Sequence, residues 1–177
     1  MKTHSKEDFL KRIEETNELF KNSTDAVKRV MIAQDCIERI LSGFLKPKCG
    51  RVIVLPDNGS LQLPIVNRQS VNTELCQVCA KGGLFASYIG RVNNFESTDR
   101  ITNESDNDAH KKLLEIFDLN QLAIIEFAFE GSQFIGSHIN GETFDKVRSF
   151  YISYNDDNER LIAICENIIA NEGTFKL

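Results

Sequence analysis

The sequence lacks the features that mark membrane and secreted proteins. Among its 177 residues, no apolar run approaches the roughly 18 residues that a membrane-spanning helix needs. The first residues, MKTHSKEDFLKRIEETNELF, mix both charges and have no apolar core of a secretory signal. Five cysteines, an odd number without a disulfide-type spacing, are typical of a reducing compartment. These absences predict a cytoplasmic protein with no membrane partner.

The sequence also lacks the common catalytic motifs. It has no G-x-S-x-G, no H-E-x-x-H and no phosphate-binding G-x-x-x-x-G-K-[ST] pattern. His110 and His138, together with the acidic stretch at 96–108, are the only basis for a small hydrolase, which is the third alternative. We therefore predict no catalytic residue and no cofactor, and the sequence favours a protein that is not an enzyme without deciding the question.

Charge is unevenly placed along the chain. Residues 1–95 contain 14 Lys and Arg against 10 Asp and Glu, whereas residues 96–177 contain 7 against 16. This asymmetry predicts two electrostatically different faces and argues against nucleic-acid binding through the C-terminal half. The candidate partner-binding residues are three basic and three acidic side chains: Lys46, Lys48, Arg51, Glu104, Asp106 and Asp108.

Apolar residues recur at helical spacing along most of the chain. This periodicity predicts a mainly α-helical fold of about six or seven helices in a single globular domain, residues 1–177. The run LAIIEFAFE at 122–130 fits strand or helix, and Gly131 in a C-cap position favours helix. Residues 51–65 predict a small β-hairpin, because a short β-branched run there precedes the turn signal PDNGS.

The least polar long segment is TELCQVCAKGGLFASYIGRVNN, residues 73–94. Apolar or small residues lie on every side of it, so we predict one central helix over the whole segment. A stripe of small residues would allow another helix to approach closely, and bulky residues on the other side would fill the core. The stripe consists of Ala80, Gly83, Ser87 and Gly90.

Cys76 and Cys79 form the only Cys-x-x-Cys pair. On a helix, residues at i and i+3 share a face, so both sulfurs could bind one metal ion or react together. A helix beginning at Thr73 would also lower the pKa of Cys76 through its dipole. Zinc needs two further ligands, and Cys49, His110, His138 and Cys165 form no second pair at ligand spacing. Packing in the core is the favoured interpretation, and metal or thiol chemistry is the alternative.

The segment CQVCAKGGLFASYIG resembles a set of bacterial and phage-borne proteins of unknown function, which carry a similar C-x-V-C-A-x-G-x-L-F segment. In those proteins it follows a helix similar to KRVMIAQDCIERI, and their ending is similar to NERLIAICENIIANEGTF. The resemblance covers roughly residues 24–175. It implies a small accessory protein on a phage, a mobile element or a host chromosome, and no activity or site residue.

Together these observations predict a non-enzymatic accessory protein that binds a protein partner, such as a host or defence component. The alternative is a zinc- or thiol-dependent protein that uses Cys76 and Cys79. Whether the chain forms a homo-oligomer stays open.

Overall fold

Helices make up most of the computed structural model, which describes residues 5–50, 52–56, 65–92, 94–97, 108–131 and 141–177. They contain 66% of these residues, so the predicted mainly helical class is confirmed. Six helices in the described ranges have seven or more residues, in line with the six or seven expected. None of the helices in these ranges is both long and apolar enough to cross a membrane.

The elements found in the described residues, in chain order, are α1 (Lys6–Glu15), α2 (Asn17–Asn22), α3 (Asp25–Leu41), β1 (Leu45–Pro47), β2 (Ile53–Val54), β3 (Val66–Asn67), α4 (Arg68–Thr73), β4 (Cys76–Val78), α5 (Ala80–Arg91), β5 (Glu96–Ser97), α6 (Asp108–Leu113), α7 (Leu119–Glu130), α8 (Gly141–Ile152) and α9 (Asp157–Ala170).

Side-chain caps begin the helices where polar residues precede apolar periodicity. Ser5, Thr24, Asp118 and Asp156 each accept a backbone N–H from the first turn of the helix that follows. Such a cap typically stabilises a helix by about 1 kcal/mol. Gly131 ends α7 with a φ of 77°, a conformation that favours glycine, so LAIIEFAFE is a helix as predicted.

Helix α5 lies at the centre of the fold, and all twelve of its residues are buried. It packs against α3, α4, α6 and α7 and against the first sheet. The predicted helix over 73–94 is therefore confirmed for its second half and wrong for its first. Residues 76–78 form strand β4 because their backbone pairs with strands on both sides, which overrides their helical spacing.

Small residues allow α5 to approach its neighbours closely, as predicted. A Cβ on Gly83 would lie 3.0 Å from Cys36 Sγ on α3 and 3.1 Å from a methyl carbon of Leu161 on α9. A Cβ on Gly90 would overlap the Arg39 guanidinium. On another side of the helix, a Cβ on Gly82 would overlap the backbone carbonyl of Val52.

Two small sheets complete the fold. In the first, β4 lies between β1, which is parallel to it, and β2, which is antiparallel to it. In the second, β3 and β5 are antiparallel. Of the predicted hairpin at 51–65, residues 53–54 form β2 and pair with β4, while residues 57–64 lie outside the described residues.

A buried arginine network joins α1, α3 and α5. Arg91 donates to both carboxylate oxygens of Asp35, and Arg12 donates to Asp35 Oδ1 at 3.2 Å. Arg39 donates to Val71 O at 2.6 Å. Burial lowers the pKa of Arg39 to about 10, and the charge of Asp35 opposes that shift. The network holds α1 over α3, where a separate apolar cluster of Phe9, Ile13 and Phe44 forms.

We expect Gly82→Ala to destabilise the protein strongly, because the new methyl group meets rigid backbone at Val52. The free energy of unfolding should fall by about 3 kcal/mol or more, as for severe overpacking. Urea denaturation followed by circular dichroism measures this loss.

Gly141→Ala is the matched control, because a Cβ there meets nothing within 4 Å. It should change the free energy of unfolding by less than about 0.5 kcal/mol. Equal stabilities of the two variants would contradict the close approach of α5 to Val52.

Candidate functional site

The three-stranded sheet has one face toward the core and one toward solvent. Side chains alternate along each strand. Consequently Lys46 in β1 and Val54 in β2 are exposed between buried neighbours, and Gln77 in β4 is half-buried. The strand registers pair Lys46 with Gln77 and Gln77 with Val54, so these three side chains form one row on the outer face. With strands about 4.8 Å apart, the row spans about 10 Å.

The same face continues beyond this row. Lys48 lies two residues after Lys46, is exposed, and donates its backbone N–H to Val78 O at 2.8 Å, which extends the β1–β4 ladder. Leu75 lies two residues before Gln77 and is 45% exposed, and Val54 is 40% exposed. We define the outer sheet face as the set of Lys46, Lys48, Val54, Pro56, Leu75 and Gln77. It combines a cationic edge on the side of β1 with a half-buried amide at Gln77 and exposed apolar side chains at Leu75 and Val54.

The structure brings together only part of the predicted partner-binding set. Lys46 and Lys48 share the outer sheet face, whereas Asp108 is exposed in the first turn of α6 and forms an ion pair with Lys111 at 3.7 Å. The other three predicted residues, Arg51, Glu104 and Asp106, lie outside the described residues.

Cys76 and Cys79 do not share a helix face, because Cys76 lies in β4 and Cys79 is the N-cap of α5. Burial raises the pKa of each thiol to about 12. The expected lowering of the Cys76 pKa by a helix dipole is therefore wrong. Their charged neighbours also differ: Arg39 and Glu74 act on Cys76, whereas Glu130, Glu126 and Lys81 act on Cys79.

The other residues that could have supplied zinc ligands are dispersed. Cys49 lies beside α9, with its sulfur 3.4 Å from Asp157 Oδ1, and Cys165 is buried within α9. His110 lies on α6, and His138 lies outside the described residues. Within the described ranges, no three His, Cys, Asp or Glu side chains are grouped as metal ligands. The zinc- or thiol-dependent alternative stays a prediction.

Thiol reactivity tests that alternative. Four of the five free cysteines are buried, and burial also raises the pKa of half-buried Cys49 to about 12. Since the thiolate is the reactive form, we expect alkylation by iodoacetamide at pH 8 to be at least about a hundredfold slower than in the unfolded chain.

Mass spectrometry after timed alkylation locates each modified cysteine, and the same reaction in urea is the control. Rapid alkylation of Cys76 or Cys79 in the folded protein would contradict the burial and would favour thiol chemistry.

A buried ion pair lies at the start of α5. Lys81 Nζ is 2.7 Å from a carboxylate oxygen of Glu126 on α7, and both side chains are almost inaccessible to solvent. A lysine in the first helical turn faces the positive end of the helix dipole, so the Glu126 carboxylate offsets that repulsion. The pair also explains why a lysine is tolerated in a helix that is buried on all sides.

His110 lies next to this ion pair. A cavity of about 10 Å³, room for about one water molecule, is lined by Lys81 and His110 together with the apolar side chains of Val52, α5 and α6. Burial lowers the pKa of His110, the positive charge of Lys81 lowers it further, and Glu126 opposes both effects. The net effect favours the neutral imidazole over its protonated form.

This shift predicts acid-sensitive stability. The folded-state pKa of His110 lies below the ordinary value of 6.5, so the unfolded chain binds the proton more readily. Stability contributed by neutral His110 is therefore present above about pH 6.5 and is lost as the pH falls below it.

The His110→Gln variant removes that titration. Urea denaturation at a series of pH values around 6 should show a shallower decline in stability for the variant than for the parent protein. Identical pH profiles would show that His110 makes no such contribution.

Sequence reasoning missed the ion pair between Lys81 and Glu126. A signal for it was present, because a lone lysine inside a strongly apolar segment is rarely buried unless it is paired. What the sequence could not provide was the partner, which lies 45 residues later on another helix. The row across the outer sheet face was missed for the same reason, since it depends on strand pairing.

Comparisons with known proteins add no family to this description. No protein-family model, no curated protein and no solved structure matches the chain. The resemblance to bacterial and phage-borne proteins stays an expectation.

Proposed function

We propose that this chain is a non-enzymatic accessory protein that binds a protein partner through its outer sheet face. The observation that carries the proposal is the aligned row of Lys46, Gln77 and Val54, which presents a cation, an amide and an apolar group within about 10 Å. Such a mixture can bury apolar area and also fix the orientation of a partner.

The outer sheet face would form the centre of a larger contact. A stable interface buries about 800 Å² on each partner, which is more than three short strands provide. Leu75 and Val54 offer the apolar area that commonly dominates the middle of an interface, and Lys46 and Lys48 offer charge at its rim. The outer sheet face also lies on a packed base, because the sheet packs on α5.

The proposed partner is a component of a bacterial host or of its defence systems. This part of the proposal comes from the resemblance of CQVCAKGGLFASYIG and the C-terminal helix to phage-borne accessory proteins.

Site-specific photo-crosslinking tests the proposal. A photoreactive phenylalanine analogue replaces Gln77 on the outer sheet face in one variant and exposed Arg148 on α8 in the control. After irradiation of bacterial cells that produce each variant, the Gln77 variant should give a discrete adduct with one protein, identified by mass spectrometry.

A third variant combines the probe at Gln77 with Lys46→Glu and Lys48→Glu. It should lose the adduct while its circular dichroism spectrum and melting temperature stay close to those of the parent. Absence of any adduct from the Gln77 position, or equal adducts from the α8 position, would overturn the proposal.

A further inference from the structure

We infer that the segment bound by the outer sheet face is an extended acidic peptide with carboxylates at alternate positions and an apolar residue beside them. This inference rests on the proposed function and specifies the chemistry of the partner.

The absence of a carboxylate partner for Lys46 and Lys48 favours an acidic ligand. Elsewhere in the described residues, lysines form ion pairs with carboxylates at 2.6–4.0 Å, as in Lys21–Glu18, Lys28–Asp25 and Lys146–Glu142. Within the same described ranges, Lys46 and Lys48 have no carboxylate at ion-pair distance. Seven lysines of the described residues are thus paired locally, in a chain whose net charge is −5. Lys46 and Lys48 are among the described lysines without such a pair, and they lie two residues apart.

The separation of Lys46 and Lys48 along the chain favours an extended peptide. Lys46 lies in β1, and Lys48 immediately follows the last residue of that strand and continues its pairing with β4. Both are exposed and two residues apart, which corresponds to about 6.7 Å along an extended chain. Alternate residues of an extended peptide have the same repeat, so carboxylates at positions i and i+2 match the two ammonium groups. A helical peptide would instead present its side chains at i and i+3 or i+4.

The apolar surface beside the lysines favours a peptide over a nucleic acid. Leu75 immediately precedes β4, the strand next to β1, and Val54 lies one strand further. An apolar residue of the peptide can cover them, which gives an acidic peptide an advantage over a nucleic-acid backbone. Charges separated by more than about 8 Å are screened at physiological salt. A short peptide therefore senses the local lysines, whereas a long polyanion is also repelled by the acidic remainder of the protein.

The full chain, labelled with ¹⁵N, and a synthetic probe test this inference by NMR. The probe is acetyl-Glu-Thr-Glu-Thr-Leu-Leu-amide, and its control has glutamine in place of both glutamates. The acidic probe should shift the amide signals of Lys46, Gln77 and Val54 saturably. The affinity should fall by about fivefold or more for the glutamine peptide and for the Lys46→Gln/Lys48→Gln variant.

Loss of two lysines elsewhere provides the matched control. The Lys11→Gln/Lys21→Gln variant removes two exposed lysines from α1 and α2 and should bind the probe as the parent does. Raising the salt concentration from about 50 to about 300 mM should weaken binding several-fold.

Three outcomes would overturn the inference: no saturable shifts, equal affinity for the glutamine peptide, or tighter binding of a short single-stranded oligonucleotide. If the Gln77 probe still captures a protein in cells, the proposed function stands and only the acidic chemistry of the partner is wrong. If both experiments fail, the proposed function falls as well.

Discussion

The fold depends on how closely the backbone of α5 approaches its neighbours. Gly82 places the helix directly against the carbonyl of Val52, and Gly83 lets α3 and α9 meet it on another side. This approach buries every residue of α5 and packs the helix against the sheet, so the outer sheet face lies over a packed core. Glycine lowers helix propensity by about 1 kcal/mol relative to alanine. Tight packing around α5 offsets that loss.

Buried charge is the second constraint, and the protein meets it in two ways. Arg91 and Lys81, close to the two ends of α5, each lie against a carboxylate from another helix, Asp35 and Glu126 respectively. Arg39 instead donates to a backbone carbonyl and lies over the ring of Phe9, with 5.0 Å between its guanidinium carbon and the ring centre. Removing one member of such a pair is expected to cost more than the pair contributes, because a charge is then left in an apolar environment.

The sequence was informative wherever structure is local. The C-cap Gly131 of α7 and the small-residue stripe of α5 follow from spacing and residue type alone, and the structure agrees with them. It was misleading at Cys76, where helical spacing continues but the backbone pairs with β1 and β2 instead. Strand pairing joins residues about 30 positions apart, and no local pattern encodes such a partner. For that reason Lys46 and Lys48 could be singled out, whereas the row that Lys46 forms with Gln77 and Val54 could not.

The packing of α3 against α9 has a consequence for the order of folding. Cys36 on α3 and Leu161 on α9 both touch the same small surface of α5 at Gly83, although they lie about 125 residues apart in the chain. During synthesis, α3 and α5 leave the ribosome well before α9. The apolar surface that they share with α9 therefore stays uncovered until α9 has been made. Contacts of such long separation slow folding and leave intermediates with exposed apolar surface. In a newly made chain, the core around α5 can therefore be completed only after residues 157–170 have been synthesised.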